Sequence, residues 1–181
     1  MVLVFFGAGF EEVEALTPVD VLRRAGIDVK MVGVDGDSIE GGHGIRIEMN
    51  QKIDAIGVLE DVEMIILPGG VPGIDNLMKS EKLKGLVAEA LDKNIYVAAI
   101  CAAPTVLEAW GLIKGRQITV YPSHASSIVT AHLLDEDVVV DGNLITGRGV
   151  GVATAFSLEL VKQLKGADVA NNLGRKMVVP E

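Results

Sequence analysis

The residues able to do chemistry in this 181-residue chain fall in three short segments: Glu11-Glu12-Val13-Glu14, Pro68-Gly69-Gly70, and Cys101-Ala102-Ala103-Pro104. Cys101 is the only cysteine. It stands where the apolar run Ile95 to Ile100 gives way to Pro104, a residue suited to the first helical position because its missing N–H had no intrahelical partner. Neither Ala102 nor Ala103 has a side chain that caps such a helix, so its first amides stay open to an anion. A cysteine placed there is expected to have its pKa lowered from about 8.5 into the range of roughly 3.5 to 7.5, which makes it a nucleophile. The plainer alternative is a small buried hydrophobe.

The carboxylates divide by their neighbours. Glu11 and Glu12 open a helix and are expected to face water, where the dipole favours them. Glu14 lies among Val13, Ala15 and Leu16, which turns its side towards a sheet. A carboxyl buried beside an anionic sulfur has its pKa raised and remains a proton donor, giving Glu14 the role of acid and base. Pro68-Gly69-Gly70 is either a plain turn or a place where bare backbone presents amides to an oxyanion, with Gly70 and Ala102 as the donors. Gly7-Ala8-Gly9 lacks the spacing of dinucleotide or P-loop motifs.

Three histidines complete the set. His43 falls in a presumed hairpin and His132 in a helical stretch, both expected to be solvated or structural. His124 lies close enough in sequence to assist Cys101. One cysteine and scattered histidines lack metal-ligand spacing, so no metal and no cofactor is expected.

The elements that must position these residues alternate. Val2 to Phe6, Val29 to Val34, Met64 to Leu67 and Ile95 to Ile100 read as strands buried on both faces. Between them, Val13, Leu16 and the stretch from Pro18 to Ala25 form a crossover helix ended by Gly26, kinked or restarted at Thr17-Pro18. Leu83, Leu86, Val87, Ala90 and Leu91 give a one-sided helix from about Ser80, its natural cap, to Asp92. Two insertions look antiparallel: Ile45, Ile47 and Met49 after Gly41-Gly42, and a hairpin of Val138–Val140 and Leu144–Thr146 about Asp141-Gly142-Asn143. A long helix follows from Val152, then a shorter one over Asp168 to Leu173. Strands and helices in this order predict an α/β protein, a mostly parallel sheet with helices on both faces, in one domain over residues 1–181. Ligands then belong beyond the carboxyl ends of the strands, where all three chemical segments fall.

Composition narrows the classes. Sixteen basic against 25 acidic residues leave a net charge of −9, which argues against a nucleic-acid partner. No apolar run nears the ~20 residues that span a bilayer. With one cysteine and no basic-flanked leader at Met1-Val2-Leu3, the expected compartment is the reducing cytoplasm.

Taken together, Glu11 to Glu14 with Pro18-Val19-Asp20-Val21-Leu22-Arg23-Arg24-Ala25-Gly26, Leu67-Pro68-Gly69-Gly70, Ala98 to Pro104, and Thr146-Gly147-Arg148-Gly149 resemble the ThiJ/PfpI superfamily, in the branch of the parkinsonism-associated protein deglycase. The resemblance runs nearly end to end. It implies a flavodoxin-like sandwich, of the class I glutamine amidotransferase-like type, usually homodimeric. It also implies Cys101 as nucleophile and redox-sensitive thiol, Glu14 as its protonated partner, and the Gly70 and Ala102 amides at the oxyanion site. Many relatives carry a histidine before a proline near the cysteine; the matching residue is Tyr121, before Pro122, so Tyr121 or His124 is left as the auxiliary group. Ala102, where the peptidase branch has histidine, disfavours proteolysis. The substrate class so implied is a small aldehyde or dicarbonyl, or its early adducts. A redox-sensing, stress-protective protein without significant catalysis is the alternative, and an inert binding domain the third.

Overall fold

The computed structural model describes residues 1–180. Seven strands form the central sheet: β1 (Val2–Phe6), β2 (Val29–Gly33), β5 (Gln51–Lys52), β6 (Met64–Leu67), β7 (Tyr96–Ile100), β10 (Val138–Asp141) and β11 (Leu144–Gly147). Their order is β10-β11-β7-β6-β1-β2-β5, and every pairing is parallel except β10 with β11. The remaining strands form two small ribbons, β3 (Ser38–Glu40) antiparallel with β4 (Arg46–Glu48) and β8 (Gln117–Ile118) parallel with β9 (His132–Leu133). Six helices cover the sheet: α1 (Glu12–Arg24), α2 (Gly73–Met78), α3 (Glu81–Asp92), α4 (Pro104–Ala109), α5 (Ala153–Lys165) and α6 (Ala167–Lys176). This is the flavodoxin-like layered sandwich, and no helix among the described residues is long and apolar enough to cross a membrane.

Because side chains alternate across a strand, the sheet divides the core in two. Leu3, Phe5, Ile65, Leu67, Val97 and Ala99 pack with residues of α2, α3 and α4. Val2, Val4, Phe6, Met64, Ile66, Ala98 and Ile100 pack with residues of α1, α5 and α6. Burial on both faces explains why β1, β6 and β7 read as unbroken apolar runs. Cys101 borders both layers.

Chain order reverses about β1, whose neighbours are β2 and β6. At such a switch point the loops leaving adjacent strands diverge and open a crevice. Here they are the segments after Phe6, Leu67 and Ile100.

Several expectations are refined. The Ser80 hydroxyl accepts the Leu83 N–H at 3.2 Å, capping α3 as read. Helix α1 does not restart at Thr17-Pro18 but runs through Pro18. His132, expected on a helix, is on β9, where the short segment pairs with β8 instead of burying a helical stripe. In the C-terminal tail, Met177 packs on the α1/α5 side of the core while Val178 is exposed.

Candidate active site

Cys101 leaves β7 at a sharp elbow. Its φ is +64°, the left-handed region that a non-glycine residue occupies only where its surroundings hold it. The main chain supplies that hold: Cys101 N–H donates to Gly147 O at 2.8 Å, and Tyr121 N–H donates to Cys101 O at 2.9 Å. Helix α4 then begins at Pro104, as the sequence predicts, with no side-chain cap. The amides of Gly70 and Ala102 donate to no other main-chain carbonyl among the described residues.

Glu14 is fully buried, on the side of α1 that faces the sheet. One carboxylate oxygen, Oε2, accepts the Gly69 N–H at 3.0 Å, and the other, Oε1, has no hydrogen-bond partner. The carboxyl and the thiol lie close enough that each alters the other's ionisation. Burial raises Glu14 to about 7, against smaller lowering effects of Cys101 and the Gly69 amide. Gly69 permits the approach. A Cβ there would meet Glu14 Oε2 at 2.6 Å and Cys101 Cβ at 2.9 Å.

The thiol departs from expectation. Burial, then the charge of Glu14, push the Cys101 pKa up, and the Ala102 amide pulls it down only in part. Open amides at a helix end are outweighed because the sulfur is partly withdrawn from water and faces a carboxylate. The two groups are therefore coupled: Glu14 gives up its proton near 7, and the thiol holds its own more tightly.

Glu12 is the second correction. Expected in water, it is only 5% exposed, and its carboxylate accepts the His43 N–H at 2.7 Å, the Ile45 N–H at 3.4 Å and a contact from His43 Nδ1 at 2.8 Å. Burial pushes this acid up, but the His43 ring and the turn amides together hold it below its ordinary 4.5. Its partners come from 31 and 33 residues away, so no local pattern could have named them. Gly41 makes room, since a Cβ there would collide with Glu12 Oε1. Glu11 is half-buried, not solvated, and its Oε2 lies 3.6 Å from His43 Nδ1. Glu11, Glu12 and His43 thus offer three ligand atoms within 4.8 Å of one another, though Glu12 and His43 are already engaged with each other.

Of the auxiliary residues, Tyr121 is tied to Cys101 through its amide, and its ring lies against Gly149. His124 sits in the 3-10 turn Pro122–Ser127, its ring centroid 6.3 Å from that of Tyr121. Its side chain makes no hydrogen bond to Cys101 or Glu14. The fold thus gathers Cys101, Glu14, Gly69 and Ala102, while Gly70, next on the same loop, packs against Gly9, Phe10 and Glu11. Gly69, which the sequence reading passed over for Gly70, is the residue that touches the acid.

The family model described as the DJ-1/PfpI family matches residues 1–163. Protein dj-1beta of Drosophila melanogaster is 33% identical over 180 residues, 98% of this chain and 96% of that one. Its crystal structure has a TM-score of 0.95, covering 99% of this chain and 98% of that one. A deglycase of Pyrococcus horikoshii is 30% identical over 158 residues, 86% of this chain and 94% of the relative. The structure of an oxidized DJ-1 of Toxoplasma gondii has a TM-score of 0.93 at 28% identity, over 99% and 98% of the two chains. With that model matching most of its length and relatives aligned nearly end to end, this chain belongs to the DJ-1/PfpI family.

Proposed function

We propose that the chain is a cofactor-independent cysteine enzyme of the glyoxalase or deglycase type, acting on reactive dicarbonyls or on their early adducts with amines and thiols. The observation that carries this reading is Glu14: a fully buried carboxyl, raised to about 7, with one oxygen unpartnered and the Cys101 thiol beside it. A bare buried carboxylate oxygen is costly, whereas a protonated one can donate to sulfur. As the sulfur attacks, the Glu14 carboxylate takes the thiol's proton, and the developing thiolate stands at the open amides of the α4 elbow. That a relative is named a deglycase supports the same direction.

The steps follow from this placement. The thiolate adds to the aldehyde carbon, and the carbonyl oxygen takes a proton to give a hemithioacetal, its developing charge met by the Gly70 and Ala102 amides. Glu14, now ionised, removes the proton from the former aldehyde carbon and returns one to the adjacent carbon, while the hydroxyl proton of the first carbon passes to the oxygen of the second. The product is a thioester of a 2-hydroxy acid, which water hydrolyses to free acid and restored thiol. One water is consumed and no electrons enter or leave.

The test is lactate formation from methylglyoxal. Cys101→Ser should abolish turnover, and Glu14→Gln should lower kcat by about 10² to 10⁴. Activity indifferent to both substitutions would end this reading.

A second reading is favoured by the partial exposure of Cys101 and by the oxidized state named for the Toxoplasma structure: a stress-protective sensor whose sulfur is oxidised. Peroxide-dependent gain of two oxygens at Cys101, without dicarbonyl turnover, would select it. The homodimer and the cytoplasmic setting belong to either proposal. Analytical ultracentrifugation tests the first and fractionation the second.

A further inference from the structure

The β3–β4 hairpin lies outside the thiol site yet is tied to it by a continuous set of contacts. Gly42 N–H donates to Phe10 O and Gly9 N–H to Glu40 O, both at 2.8 Å, so the hairpin is fixed to the loop after β1. Its turn supplies the His43 and Ile45 amides to Glu12. One residue earlier, Glu11 N–H donates to Gly69 O at 3.0 Å, and Gly69 N–H in turn holds Glu14. The His43 ring, although 69% exposed, is seated on both carboxylates, 2.8 Å from Glu12 Oε2 and 3.6 Å from Glu11 Oε2.

We propose that His43 is a positioning residue for the Cys101–Glu14 pair, acting through Glu11: the ring fixes the Glu11 carboxylate and screens its charge from the sulfur and the acid. This deepens the catalytic reading, because it concerns how readily that pair gives up its proton.

Glu11 is the group that links the two sites. Its main chain is bonded to the Gly69 that holds Glu14, and its charge is the smallest of the effects that disfavour ionisation of Glu14 and of Cys101. The ionisable groups facing His43 are Glu11, the residue before α1, and Glu12, its first residue; on its own hairpin, Arg46 and Glu40 are paired with each other at 2.6 Å. Hydrogen bonding to Glu12, then the charges of Glu11 and Glu12, raise the His43 pKa above 6.5. The screening cation is thus present below neutral pH and disappears as pH rises through the elevated value. Loss of the screen as pH rises makes the pair harder to ionise, which broadens its titration.

The experiment reads the pH dependence of Cys101 alkylation by iodoacetamide, with no substrate involved. His43→Gln keeps the main-chain donor to Glu12 and removes the charge. It should lower the alkylation rate near pH 6.5 by about twofold, as expected for one charge acting through solvent-exposed groups. Glu11→Gln should raise that rate, and in a Glu11→Gln background His43→Gln should have no further effect. High salt should shrink the difference between the native and His43→Gln profiles, because it also screens the Glu11 charge from the pair. Superimposable native and His43→Gln profiles, or a His43 effect undiminished without the Glu11 charge, would overturn the proposal. If the coupling is seen but no dicarbonyl is consumed, the enzymatic reading fails alone; if turnover needs Cys101 and Glu14 but the profiles coincide, only the role of His43 falls.

Discussion

Glu12 and Glu14 sit two residues apart on one helix, both withdrawn from water, and ionise in opposite directions. Glu12 is held below 4.5 because a hairpin turn delivers two amides and an imidazole to its carboxylate. Glu14 is raised to about 7 because it receives one amide and keeps one oxygen bare. Glu14 lies deep between helix and sheet and Glu12 just beneath a surface turn, so depth of burial and number of donors act together to set the two charges. One acid is an anchor, and the other, on the proposed reading, is a reagent.

The largest effect that sharpens this contrast is expected at Glu14. Its native pKa of about 7 lies above its ordinary 4.5, so the folded protein holds the proton more tightly than the unfolded chain. Stability therefore falls as pH rises from 4.5 to 7 and is flat beyond, by roughly 3 kcal/mol in total. Glu14→Gln should remove that fall and melt higher than the native protein at pH 8, as read by thermal denaturation. A native protein whose stability is level across this window would break the comparison.

Glu12→Ala should act in the reverse sense, destabilising by about 1–3 kcal/mol at pH 7, because it strands the turn amides. Its contribution is complete above 4.5 and fades as pH falls through the depressed pKa, so urea midpoints of native and variant should converge in strong acid. The smallest effect is expected at His124. Its side chain touches neither reacting group, and His124→Ala should change methylglyoxal kcat/KM by less than about twofold. A collapse of the rate would show that a third residue, not the Glu12–Glu14 contrast, governs proton transfer.

Legibility followed the range of the interactions. Strand β6 matches its apolar run end for end, and the elbow at Cys101 was visible from Ile100 on one side and Pro104 on the other. Glu14 was readable from its apolar neighbours. Glu12 was not: on the helix alone it looks solvated, and its burial depends on a turn more than 30 residues downstream that needs Gly41 beneath it. The direction of the thiol's shift was misread because sequence exposes the helix end but not the desolvation or the facing charge. His132 failed by length, since two residues of strand carry no periodicity.

The backbone at Cys101 has one more consequence. A left-handed φ costs an ordinary residue roughly 1 kcal/mol or more and glycine almost nothing. Cys101→Gly should therefore yield a chemically dead protein whose main chain is more at ease than the native one. On the proposed reading, robustness and reactivity are opposed at a single Cα.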